Sequence, residues 1–409
     1  LLPTALVGVL RLLQAEFFGR SFSAFDVYKK DEMMSENLTQ QPIRVLNMFT
    51  IMDRGGAETM VMNYYRHIDR TKVQFDFLVH REQRGAYDDE IEALGGRIYR
   101  MCPIYPQNFA QYKRELCAFF KAHPEYKIIH SHMSELGYFA FREAQRQGVP
   151  VRICHAHSSP HEHDIKMIVR TYFKKRMMPY LTHLFMCGID SGRWLYGAQN
   201  ESRFIMLNNA IDAVAYTYDP AKYADMRQQL GIGDELVVGH VGRFNQPKNH
   251  PFLLDIFAAL LSKEPNAVLL LVGGGEDMPK IQAKAQALGI AEHVRFLGVR
   301  SDVAELMQAM DVFVFPSLYE GLGIVVIEAQ ASGLPCVVSE GIPQEAYLTD
   351  LVIAEKLSST TDSWAERILA CRDIPRTDRR AEIAAHGFDI TTEAVKLQEF
   401  YLNAYEQNN

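Results

Sequence analysis

The chain has 409 residues, 48% of them hydrophobic and 23% charged, enough for two or three globular domains of about 150 residues each. Its formal net charge of -7 excludes a bulk polyanion such as duplex DNA, so no nucleic-acid partner is expected. The six cysteines are scattered and form no CxxC pair, which excludes a zinc ribbon or a dense disulfide framework and fits a reducing cytoplasm.

Residues 1–41 read as an N-terminal extension outside the fold. Leu1–Leu13 is apolar but carries Arg11, is too short to span a bilayer, and lacks the basic start of a signal peptide. A start at Met33 or Met34 is expected, with Leu1–Glu32 upstream of the domain. From Pro42 onward, short apolar runs alternate with helical patterns. Ile43–Phe49 predicts a strand, followed by a loop with Gly55 and Gly56 and a helix near Glu58–His67. Val73–Val79, Lys127–His130 and Val151–Cys154 predict further strands. Gln111–Lys121 and Glu135–Gln147 are amphipathic helices between them. The alternation restarts with strands at Leu236–Val241, Ala267–Val272, Val294–Leu297, Val312–Phe315 and Cys336–Ser339. The pattern implies two α/β halves, each with a parallel sheet covered on both faces, meeting between Asn208 and Glu235. Ligands of such sheets bind at the carboxyl ends of the strands, here in a cleft between the halves.

Two segments carry the chemistry. In Asp311–Val338, DVFVFPSLYEGLGIVVIEAQASGLPCVV, a buried strand ends at Pro316, Glu320 follows in a loop, and Gly321 and Gly323 let the backbone approach a ligand. A helix carrying Glu328 begins there, and its N-terminus suits a phosphate. Were the intervening segment mostly helical, Glu320 and Glu328 would lie ~12 Å apart, longer than a typical glycosidase carboxylate pair. The spacing fits a sugar joined through a diphosphate to a nucleoside. The second segment, GRFNQPKNH at Gly242–His250, puts Arg243 and Lys248 at the end of another strand, where Arg can clamp a phosphate and Lys adds a point charge. Gly273-Gly274-Gly275 is not a dinucleotide fingerprint, because position 278 is Met.

With RGGAE (Arg54–Glu58), HSH (His130–His132), LLLVGGGE (Leu269–Glu276) and FLGVRSDV (Phe296–Val303), these segments resemble the family-4 glycosyltransferases of the GT-B fold, especially bacterial enzymes of capsule or exopolysaccharide assembly. The resemblance runs from about Ile43 to the C-terminus. It implies two Rossmann-like domains: an acceptor domain at 42–208, a donor domain at 209–390, and a C-terminal helix at 391–409 crossing back onto the first domain. It implies a retaining transfer of a hexosyl group from a nucleoside-diphosphate sugar, a UDP-sugar first, to a sugar hydroxyl of a glycan or lipid-linked acceptor. Arg243 and Lys248 would neutralise the donor diphosphate, Glu320 would lie next to the donor sugar, and Glu328 would hold the ribose. The backbone of Gly321, Leu322, Gly323 and Ile324 would contact sugar and phosphate. Gly55 and Gly56 would let acceptor and diphosphate approach, and His132 would face the donor sugar, with His130 and His155 as competitors.

Other readings remain open at this level. A relative of the same fold could epimerise or hydrolyse the nucleotide sugar. The 14 histidines include three HxH pairs, His130/His132, His155/His157 and His161/His163, which raise a metal-dependent hydrolase as a second class. There is no DxD in the chain, and no metal or other cofactor is expected to be required. Ile165–Leu181 places Lys166, Arg170 and Lys174 at helical spacing, so peripheral contact with the inner face of a membrane is a further partner to weigh.

Overall fold

The computed structural model describes residues 41–157 and 166–408. The extension at 1–40 and the His161/His163 pair lie outside the described residues. Two parallel sheets are present. The first holds β1 (Ile43–Phe49), β2 (Val73–Val79), β3 (Ile98–Arg100), β4 (Ile128–Ser131), β5 (Val151–Ala156), β6 (His183–Met186) and β7 (Phe204–Met206), in the order β3-β2-β1-β4-β5-β6-β7. The second holds β8 (Val237–Val241), β9 (Val268–Val272), β10 (Val294–Gly298), β11 (Val312–Phe315), β12 (Cys336–Ser339) and β13 (Val352–Glu355), in the order β10-β9-β8-β11-β12-β13. Both are doubly wound with helices on both faces. The strand order reverses between β1 and β4 in one and between β8 and β11 in the other, and these switch points open the crevices where ligands bind.

The sheets are buried on both faces because successive side chains alternate between two apolar layers. In β1, Val45 and Phe49 join one layer and Leu46 and Met48 the other. In β11, Phe313 and Phe315 face one layer and Val312 and Val314 the opposite one. Burying side chains of this size contributes about 1.5–3 kcal/mol each, so the two central strands are the rigid platforms of the site.

The chain crosses between the sheets twice, side by side. Residues 207–213 lead into the second half, and residues 386–390 return. Ile211 and Asp389 form a parallel bridge, and the Asn208 amide donates to the carbonyls of His386 and Gly387 at 3.2 and 2.9 Å. The Ile390–Glu406 helix then packs Ile390, Ala394, Leu397, Tyr401 and Ala404 into the core of the first sheet, against the Gly56–His67 helix.

The basic helix differs from the sequence expectation. It spans Lys166–Met177, but Arg170 turns inward to pair with Glu135 at 2.6 Å, and both Arg170 and Lys174 lie over the Trp194 ring. Two of the three positions of the expected basic face are therefore engaged by the protein. Tyr172, Lys175 and Arg176 are the exposed members. Among the described residues no helix is long and apolar enough to cross a membrane.

Candidate active site

The loop after β8 and the loop after β11 meet at the second switch point. The Leu318 N–H donates to the Pro247 carbonyl at 2.8 Å, and the Asn249 amide donates to the Pro316 carbonyl at 3.1 Å. This junction brings Lys248 and Glu320 together. The Lys248 Nζ lies 2.6 Å from Glu320 Oε1 and 4.8 Å from the centre of the Phe315 ring. Both partners are largely buried, with 18% and 12% of their side chains exposed. A charge-assisted bond of this kind fixes the ammonium without removing its charge.

The Ile324–Ala331 helix starts next to Glu320. Gly323 caps it at φ +81°, a left-handed conformation that glycine adopts without Cβ strain. No side chain caps the helix, so its first N–H groups are free to meet an anion. Nothing lies within 4 Å of where a side chain on Gly321 would sit. The helix begins only at Ile324, so the assumption of a mostly helical path from Glu320 to Glu328 is corrected: half of that path is loop. Glu328 sits half-buried on the helix, within hydrogen-bond reach of Tyr216. Burial pushes its carboxyl up to about 7, while the Tyr216 contact acts in the opposite direction.

Arg243 is placed differently. Its guanidinium is 69% exposed and pairs with exposed Glu276 at 3.1 Å. It is an exposed, ion-paired group rather than one buried beside Lys248. The three glycines after β9 explain why its loop holds position. A Cβ on Gly273 would meet the Gly242 carbonyl oxygen at 2.1 Å, so the two loops touch backbone to backbone. That close approach is a structural role for the glycines, in place of a dinucleotide site.

At the first switch point, Gly55 precedes the Gly56–His67 helix, and nothing lies within 4 Å of a side chain built on Gly56. His132 follows β4. Its ring stacks on Phe49 at 4.4 Å and 7°, its Nδ1 bonds His157 Nε2 at 2.8 Å, and its Nε2 lies 3.4 Å from Asn47 Oδ1. His132 retains 9% exposure, whereas His130 and His155 have 1% and 0%. Burial first, then the neighbouring imidazoles, hold the His132 ring well below its ordinary range, so it acts as a neutral hydrogen-bonding group. Sequence reading missed Asn47 and Tyr401, which together with His157 of the second HxH pair contact these rings. Asn47 sits inside an apolar run and Tyr401 lies 271 residues from His130, so no local pattern marks either one.

A family model for group 1 glycosyl transferases matches residues 222–383, and one for the glycosyl transferase 4-like domain matches residues 55–191. The chain is 36% identical over 376 residues to the putative glycosyltransferase EpsF of Bacillus subtilis, covering 90% of this chain and 98% of the relative. It is 27% identical over 243 residues to the Escherichia coli UDP-Gal:alpha-D-GlcNAc-diphosphoundecaprenol alpha-1,3-galactosyltransferase, covering 53% of this chain and 58% of that one. Among solved structures, Anabaena HepE in complex with UDP superposes with a TM-score of 0.73 at 21% identity, covering 89% of this chain and 100% of that chain. The first relative spans nearly the whole of both chains, and the fold is that of the solved structure. The chain belongs to the group 1 and 4-like glycosyltransferases and is a glycosyltransferase of the GT-B fold.

Proposed function

We propose that the protein transfers a hexosyl group from a nucleoside-diphosphate sugar to a sugar hydroxyl, with retention of the anomeric configuration, in the assembly of a capsule or exopolysaccharide. The carrying observation is the buried Lys248–Glu320 pair beside the uncapped helix that starts at Ile324. In this reading residues 209–390 hold the donor and residues 42–208 the acceptor, with the segment from 391 onward tying the two. Lys248, Arg243 and the N–H groups of Leu322–Ile324 carry the charge that grows on the departing diphosphate. Glu320 turns to the donor sugar, and Glu328 accepts bonds from the ribose hydroxyls. His132 faces the sugar from the other side of the cleft, and Gly55 and Gly56 leave room for the diphosphate and acceptor. No metal takes part in the transfer. UDP is the first nucleotide to test, because the solved HepE structure is a UDP complex. A lipid-linked acceptor is supported by the diphosphoundecaprenol substrate in the name of the Escherichia coli relative. Peripheral membrane contact would then rest on exposed Tyr172, Lys175 and Arg176.

A panel of nucleotide sugars screened by thermal shift tests the donor. A bound donor raises the melting temperature by mass action, and Glu328→Gln should weaken the shift. A panel in which no nucleotide sugar stabilises the protein would overturn the reading. Release of nucleoside diphosphate at full rate without an acceptor would instead favour an epimerase or hydrolase of the same fold.

A further inference from the structure

The carboxyl edge of the first sheet carries a histidine cluster that glycosyl transfer does not use in full. His130 lies on β4, His132 directly follows it, and His155 lies on the neighbouring β5. One ligand atom from each of these three imidazoles lies within 4.8 Å of the others. The His130 and His132 ring centres are 4.4 Å apart, His130 and His155 5.4 Å, and His132 and His155 5.3 Å.

The hydrogen bonds around the cluster select which atoms are free. Tyr401 Oη holds His130 Nδ1 at 2.7 Å, and His157 Nε2 holds His132 Nδ1 at 2.8 Å. Both rings therefore present Nε2, which on His130 has no partner and on His132 has only the long 3.4 Å contact to Asn47. His155 is fully buried, and neither of its nitrogens has a partner. A buried polar group without a partner is costly and calls for an explanation. Rings locked through one nitrogen by neighbouring groups, with the other nitrogen free, are the arrangement in which metal-ligating histidines are held.

We propose that His130, His132 and His155 bind a single divalent transition-metal ion of the zinc type. Three imidazoles and no carboxylate select zinc, cobalt, nickel or copper over magnesium and calcium, which favour oxygen ligands. Metal–nitrogen bonds of about 2.1 Å in a tetrahedral shell set the donor atoms about 3.4 Å apart, so the cluster closes by up to about 1.4 Å through rotation of the rings. A fourth position remains beside His157, whose ring centre is 4.1 Å from that of His155. The metal would engage the second nitrogen of His132, so metal binding and the proposed contact of His132 with the donor sugar are alternatives, and transfer belongs to the metal-free form.

Titration of the metal-free protein with Co²⁺, followed by visible absorption, tests the site. One equivalent should produce the intense bands of tetrahedral cobalt, Zn²⁺ should bleach them stoichiometrically, and excess Mg²⁺ should leave them unchanged. His155→Gln should lower Co²⁺ affinity by more than about 100-fold, and Tyr401→Phe by about 10–100-fold as loss of a supporting bond. The double variant His161→Gln/His163→Gln should bind as the parent does. A parent protein that shows no saturable tetrahedral band overturns the proposal without recourse to any variant. Loss of the bands in the His161/His163 double variant, or displacement by Mg²⁺, overturns it as well.

Discussion

At the active site, individual residues divide the work by whether they face charge that changes during reaction. In the proposed reading Lys248 faces the leaving diphosphate as it gains charge, so it would matter more in the transition state than in the ground state. Lys248→Ala is expected to lower kcat by ~10²–10³-fold, and Glu320→Gln to act on kcat in the same way. Near-normal turnover of either variant at saturating donor and acceptor would refute this division. In the same reading Glu328 would hold ribose hydroxyls that do not react, so Glu328→Gln should raise the donor KM with a smaller change in kcat. Its pH behaviour gives a second handle. The carboxyl titrates at about 7 because burial disfavours the anion, and protonation removes an acceptor for a ribose hydroxyl. The donor KM should then rise as pH falls below 7, by up to about tenfold per unit, and this dependence should vanish in Glu328→Gln. Lys248, Glu320 and Glu328 were legible in the sequence because each stands at a fixed offset from a strand end or helix start. The histidines were legible as a group, but the choice among them was not. It depends on exposure and on partners such as Asn47, His157 and Tyr401 that come from other elements.

The elements show the same limit on a longer scale. Val312–Phe315 and Cys336–Ser339 follow directly from apolar runs bounded by Asp, Pro and Gly. The strands β3, β6, β7 and β13 were not expected. They span only three or four residues, and three of them carry a polar member, Arg100, His183 or Glu355. Runs that short and mixed fall below what periodicity can detect; they become strands because a neighbouring strand supplies the hydrogen bonds. The start of the Ile324–Ala331 helix rests on Gly323. A Cβ at φ +81° costs about 1 kcal/mol, so Gly323→Ala should lower the melting temperature by about 2–4 °C. The same change turns the free N–H groups away from the diphosphate, so the donor KM should rise as well; an unchanged KM would separate the cap from the binding site. The Ile390–Glu406 helix is a part of the first core although it comes last in the chain. Removing residues 390–408 uncovers the surface that Leu397 and Tyr401 occupy, and the shortened protein should lose its cooperative thermal transition. A soluble product with the parent's melting curve would show that the helix is dispensable.

For the whole molecule, the positive groups at the second switch point bear on metal dependence. In the proposed reading Lys248, Arg243 and the uncapped helix N-terminus carry the diphosphate charge, so transfer should persist in EDTA. Activity abolished by EDTA and restored by Mg²⁺ or Mn²⁺ would refute this. Both halves also bury imidazoles away from the histidine cluster, and these set how the protein meets acid. His80 in the first half bonds the Phe49 carbonyl and Tyr112, while His240 and His250 lie together under the loop that carries Lys248. Burial lowers all three, His80 and His250 to about 4, and it holds His240 well below its ordinary range. In the unfolded chain each ring takes up a proton near pH 6.5, whereas in the folded protein it stays neutral until much lower pH. The unfolded state therefore binds more protons throughout the window from about 6.5 down to 4, and stability falls as pH falls through it. Each ring that stays neutral contributes about 1.4 kcal/mol per pH unit there. Unfolding free energy measured in urea should be nearly flat above pH 7 and drop steeply between 6.5 and 5. His250→Gln should reduce the slope by one ring's share, about 1.4 kcal/mol per pH unit. An acid limb equally steep in that variant would show that its ring is already protonated in the folded state.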